Sequence, residues 1–122
     1  MGCGLAALER YMESLDLVRL IREAVLSKKG TDVVVIDVRG LSPITDYYVI
    51  ASGATAPQLK AMSGAVAKGL KEAGEPPCRR SGEPDDGWIV LDCFDVVIHM
   101  FEQSLREYYA IEELWAGSPR LV

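Results

Sequence analysis

Apolar residues along this chain recur with two different periods. Leu17, Leu20, Ile21, Ala24 and Val25 return at steps of three and four, one face of a helix. Ser14 stands before them as an N-cap, Lys28 and Lys29 suit the negative helix end, and Gly30 suits a left-handed residue just beyond it. A helix is therefore expected over roughly 14–29, preceded by a segment, 1–13, that shows no organisation and is expected to fray. Asp32 to Val38 is mostly β-branched and apolar on both parities, the pattern of a strand buried at the centre of a sheet. Tyr47 to Ser52 is a second strand by composition. The stretch Arg39–Asp46 is long enough to return the chain antiparallel to the first.

Gly53 breaks that strand, and Thr55 followed by Gln58 forms a capping box with Pro57 in the first turn. Leu59, Met62, Val66 and Leu70 supply the stripe of a second helix, closed by Gly74. Residues 75–87, with Pro76-Pro77, Ser81-Gly82 and Asp85-Asp86-Gly87, are a loop by composition, with a short strand near Arg79-Arg80. Trp88–Leu91 and Asp95–Phe101 are two more strands. In the latter Val96, Ile98 and Met100 share one face, Val97, His99 and Phe101 the other. Ser104 to Trp115 has helical spacing through Leu105, Tyr108, Ile111 and Trp115, ended by Gly117 and Pro119. The order α-β-β-α-β-β-α predicts one α/β (α+β) domain over 14–122, a mixed central sheet flanked by helices.

Composition narrows the function classes. With 122 residues and 49% hydrophobic content a real core can form, and no apolar run approaches the length of a membrane span. The N-terminus lacks the basic region of a secretory signal. The net charge is −5. It is uneven: residues 1–74 carry +1 and residues 75–122 carry −6. A surface so acidic disfavours sequence-specific nucleic-acid binding and favours a basic protein partner, although plain solvation explains it as well. Cys3, Cys78 and Cys93, odd in number and widely spaced, suggest neither a disulfide framework nor a cysteine metal site, and a reducing cytoplasm is the simplest compartment.

Candidate chemistry is sparse. Cys93, Asp95 and His99 fall on one parity, yet along a straight strand Cys93 and His99 stand about 20 Å apart, far outside hydrogen-bond reach. A glycine after a strand, opening a helix and followed by later strand carboxylates, is an arrangement found in nucleotidyltransferases. Here the carboxylates, Asp92 and Asp95, are three apart and would point to opposite faces, so an enzyme is disfavoured. Asp85-Asp86-Gly87 reads as a turn rather than a metal loop. The most suggestive surface is aromatic and acidic: Trp88, Tyr108, Tyr109 and Trp115 occur in the last third with Asp92, Glu107, Glu112 and Glu113. From spacing alone a core or core-edge role for these rings is the ordinary reading. Since Tyr108 and Tyr109 are adjacent on a helix, only one could sit centrally on a buried stripe.

Asp37-Val38-Arg39-Gly40-Leu41-Ser42-Pro43-Ile44-Thr45-Asp46-Tyr47-Tyr48-Val49-Ile50-Ala51-Ser52-Gly53 resembles the signature of the ribosomal silencing factor (iojap-like) family. Gly87–Asp92 running into Asp95–Phe101, and Arg106–Trp115, agree with two further blocks, so that the resemblance spans roughly 15–116. It implies a nucleotidyltransferase-like fold without known catalysis, cofactor or metal. It also implies a homodimer when free, and a cytoplasmic factor that docks on protein fourteen of the large ribosomal subunit. There it obstructs the small subunit and silences translation when nutrients are scarce. Carried over by residue, Trp88, Asp92 and Tyr109 match the docking positions, with Asp95, Tyr108 and Glu112 as additional surface. The chain departs from the family pattern near Ala56-Pro57, at Cys93-Phe94 and at Ala110. Two alternatives remain: a large-subunit assembly factor using the same surface, and an enzyme of nucleotidyltransferase type.

Overall fold

A computed structural model describes residues 3–93, 95–115 and 117–121. The elements are α1 (Cys3–Ser27), β1 (Thr31–Asp37), β2 (Tyr47–Gly53), α2 (Ala56–Glu72), β3 (Arg79–Ser81), β4 (Trp88–Cys93), β5 (Val96–Glu102), α3 (Gln103–Tyr109) and β6 (Arg120–Leu121), with 3-10 turns at Pro84–Asp86 and Ile111–Trp115. They build one mixed sheet in the order β3-β4-β5-β2-β1-β6. β2 and β5 run parallel. The β1–β2, β1–β6, β3–β4 and β4–β5 pairs are antiparallel. Among the described residues no helix is long and apolar enough to cross a membrane.

Alternation along the strands separates the two faces of the sheet. Val49, Ala51, Ile98, Met100, Ile89 and Leu91 point to one side, where Val18, Ile21 and Val25 of α1 and Leu59, Met62, Val66 and Leu70 of α2 close over them. Ile36, Tyr48, Ile50, Val97 and Phe101 point to the other side, where Leu105, Ile111 and Trp115 form a partial roof.

Thr55 caps α2 as expected, accepting from the Gln58 backbone N–H (3.2 Å). Gln58 reaches back to the Ala54 N–H (2.6 Å) and donates to the carbonyls of Lys28 and Lys29 (3.2 and 2.8 Å). One amide side chain thus ties the start of α2 to the end of α1.

Several expectations change. The backbone of α1 is helical back to Cys3, so Ser14 is an interior residue and not an N-cap. Its buried hydroxyl donates to the Asp95 carboxylate (3.3 Å), a tertiary partner in place of a capping one. Residues 1 and 2 lie outside the described residues. After α1 the left-handed position belongs to Lys29 (φ 62°), not Gly30. Gly30 is needed for space: a Cβ there would stand 2.4 Å from Val25 Cγ1. The strand buried at every residue is β2, not β1. β1 has a bulge between Thr31 and Val34, and on its outer side only the two-residue β6, so its first residues face solvent.

The last helix is shorter than its apolar spacing predicts. It stops at Tyr109, Ala110 turns left-handed (φ 46°), and residues Ile111–Trp115 continue as a 3-10 turn. Residues 106 and 112 would lie on different sides of one continuous helix. The reversal brings Glu112 back, so that Arg106 Nε donates to its Oε1 at 2.6 Å. The buried guanidinium also donates from Nη1 to the Asp32 carbonyl (2.6 Å) and the Ser52 hydroxyl (2.8 Å).

The cysteine reading is corrected too. Cys78 and Cys93 form a disulfide, their Cα atoms 4.5 Å apart. β3 and β4 pair with Arg79 opposite Asp92. Extending that ladder by one position sets Cys78 opposite Cys93, at the spacing of a non-hydrogen-bonded antiparallel pair.

Candidate protein-docking surface

β4 carries the surface. Its pairing with β5 sets Trp88 opposite Phe101, Val90 opposite His99 and Asp92 opposite Val97. Strand alternation then aims Trp88, Val90 and Asp92 at the partly roofed face, while Ile89 and Leu91 fill the closed core. The roof of α3 and its following turn leaves Trp88, Val90 and Asp92 half-buried, and the three residues of β3 exposed.

Trp88 is the hub. Its ring stacks on Phe101 (centroids 4.9 Å apart) and meets Tyr109 at 4.8 Å. Its indole N–H donates to His99 Nδ1 (3.2 Å). His99 also lies between Tyr48 (5.7 Å) and Phe101 (6.0 Å), and burial pushes its pKa down to about 4. The imidazole is thus neutral at pH 7, which leaves Nδ1 free of a proton to accept from Trp88.

Tyr109 is 48% exposed and Tyr108 79% exposed, the two rings meeting edge to face at 5.2 Å. Neither tyrosine is a core residue. α3 ends before its apolar stripe could bury one of them, and Tyr109 leans onto Trp88 while keeping half its surface in water. Asp92 shares the strand face of Trp88 at about 13 Å along it.

The remaining predicted positions separate from this group. Asp95 sits in the turn between β4 and β5, accepts from Ser14, and its carbonyl takes the backbone N–H groups of Asp46 and Tyr47 (3.1 and 3.0 Å). Glu112 is engaged by Arg106 and, at 3.9 Å, by Arg120. It lines a polar crevice with Asp32, Ser52, Glu107 and Glu113, beside the carboxyl end of β2. Cys93 is held in the disulfide and pairs with Val96, three ladder positions from the His99 pair, so Cys93, Asp95 and His99 do not converge. Among the described residues no group of three or more His, Cys, Asp or Glu is placed to hold a metal. Sequence reasoning missed His99 and Phe101 as the floor beneath Trp88. The period-two alternation of β4 and β5, laid side by side, carried that signal.

A partly exposed aromatic cluster on the same strand face as a carboxylate, on the less covered side of the sheet, is a surface suited to another protein. Residues 11–122 match the family described as ribosomal silencing factor during starvation. The chain belongs to the ribosomal silencing factor family. Among its relatives is the ribosomal silencing factor of Haemophilus influenzae, 37% identical over 84% of this chain and 100% of that one. The solved structure of a protein from Chromobacterium violaceum shares the fold with a TM-score of 0.80, at 32% identity over 84% of this chain and 85% of that one. A mouse protein named for mitochondrial assembly of the ribosomal large subunit is 34% identical over 81% of this chain and 43% of its own length. The family assignment places the Trp88–Tyr109 surface in a ribosome-associated protein.

Proposed function

We propose that this chain docks on the large ribosomal subunit through Trp88, Asp92 and Tyr109, with Tyr108 at the margin. The contact is a basic protein at the intersubunit face, the one conventionally numbered fourteen. The bound factor obstructs the small subunit and represses translation under nutrient limitation. The observation that carries this reading is the half-exposed Tyr109 ring packed against Trp88, tilted by 38° with centroids 4.8 Å apart, on the strand face that also presents Asp92. Two packed aromatic anchors form the kind of centre that dominates binding energy, and the Asp92 carboxylate, about 13 Å along the same strand face, suits an Arg or Lys of the partner. The action is steric, in the cytoplasm and without cofactor or catalysis, and the free form is a homodimer. In support of a non-catalytic role, the crevice beside β2 carries Asp32, Glu107, Glu112 and Glu113 against Arg106 and Arg120, a balance that repels nucleotide phosphates.

Co-sedimentation with purified large subunits, small subunits and their mixture tests the reading. Comigration with large subunits, and fewer joined ribosomes as protein is added, is expected. Asp92→Arg is expected to abolish comigration with thermal unfolding still native-like; a folded Asp92→Arg protein that still sediments with large subunits would sink the assignment of this face. The name of the mouse relative favours a second reading, large-subunit assembly through the same surface. Comigration that leaves subunit joining untouched supports that reading instead.

A further inference from the structure

We infer that Cys78–Cys93 is a reversible thiol–disulfide modification site that tunes the docking surface, an inference that rests on the docking role proposed above. The bond joins the residue preceding β3 to the last residue of β4, adjacent to Asp92. Both cysteines are half-buried, within reach of a small thiol or disulfide. β3 is an edge strand of three residues, all exposed, paired on one side only, through Arg79–Asp92, Arg80–Leu91 and Ser81–Val90. So short an edge has little holding it besides the cross-link at its start. β4 is different. Its six residues pair along their whole length with β5, Asp92 with Val97 and Cys93 with Val96.

Cleaving the bond therefore loosens β3 and leaves Asp92 in place. What changes at the surface is Arg79, which the cross-linked ladder holds directly opposite Asp92 on the same face. A guanidinium there competes with a cationic partner for the carboxylate and repels a basic surface. The cross-linked chain is the weaker binder, the dithiol chain the stronger. The chemistry is simple exchange. A reducing dithiol splits the S–S bond, leaving two thiols on the chain and a disulfide on the reductant. Oxidised glutathione reverses it, as the two protein thiols pass two electrons and two protons to yield two glutathione thiols.

The test uses the full chain in two steps. First, alkylation is read after equilibration in oxidised glutathione, with and without dithiothreitol. Peptide mapping is expected to find Cys78 and Cys93 linked and unalkylated before reduction and both alkylated after; both alkylated before reduction would overturn the site. Second, the affinity for large subunits is measured for both forms. The reduced form is expected to bind about fivefold tighter. Cys78→Ser/Cys93→Ser should match the reduced form under either condition, and Arg79→Ala should bring the oxidised form to the same affinity. Equal affinity of the oxidised and reduced chains overturns the coupling. Binding by neither form overturns the docking role and the coupling with it, while the peptide map still decides the disulfide.

Discussion

The two faces of this sheet are built from the same six strands and come out differently. Under α1 and α2 the face is closed by aliphatic side chains, with Ile21, Leu59, Met62, Ile98 and Met100 all fully buried. On the other side the buried residues are fewer, the rings are many, and the roof of Leu105, Ile111 and Trp115 leaves Trp88, Val90 and Asp92 of β4 half-buried. A closed aliphatic face concentrates stability. A half-roofed aromatic one retains apolar area and a polar handle for something else to cover. The difference originates in two backbone events after β5: α3 is only seven residues long, and Ala110 reverses the chain.

If the division of labour is right, damage to each face should register in a different measurement. Ile98→Ala, on the closed face, should cost about 4 kcal/mol in urea unfolding and leave the affinity of the folded fraction for large subunits unchanged. A loss of affinity there would mean that the faces are coupled. Acid should act through the open face. His99 has a folded pKa of about 4 against an ordinary value of 6.5, so the unfolded chain binds the extra proton between those values. Its contribution to stability is present above pH 6.5 and is lost as pH falls toward 4, by about 3 kcal/mol. A His99→Phe variant should flatten that part of the stability–pH curve. Tyr109→Ala should lose about 2 kcal/mol of docking energy, some thirtyfold in Kd, while its unfolding midpoint barely moves. The smallest expected effect is a gain. Ala110→Gly relieves a left-handed alanine and should raise stability by about 0.5 kcal/mol, seen as a shifted urea midpoint.

Much of the fold was legible because it rests on local period. The stripe of α2, its Thr55–Gln58 cap, the antiparallel return from β1 to β2 and the alternation along β5 all follow from neighbours in sequence. The misreadings share a cause, namely partners distant along the chain. Nothing near Ser14 announces that its hydroxyl serves Asp95. Nothing local to Ala110 shows that Arg106 must recover Glu112 across a break. β1 reads as central because its composition is β-branched, but its outer neighbour is only the two-residue β6, whereas β2 is paired along its whole length with β5 as well as with β1. The disulfide was closer to legible. A hairpin folded about Asp85-Asp86-Gly87 brings Cys78 opposite Cys93, and only the register was lacking. At the surface, Trp88, Asp92 and Tyr109 were found through resemblance to the family. From spacing alone the aromatic residues read as core edge, because exposure depends on where α3 ends.

The parallel pairing of β2 with β5 has a consequence for the life of the chain. Tyr47 must wait for Val96, and Gly53 for Glu102, before the innermost strand has its second neighbour. Both helices of the closed face, and the β1–β2 hairpin, are synthesised earlier and can assemble by local contacts. Until β5 emerges, β2 exposes one unsatisfied edge of Tyr, Val and Ile. Sheet closure is therefore a late, non-local event, slow by its contact order and open to mispairing while it is pending. Nascent chains arrested before residue 96 should be the aggregation-prone species.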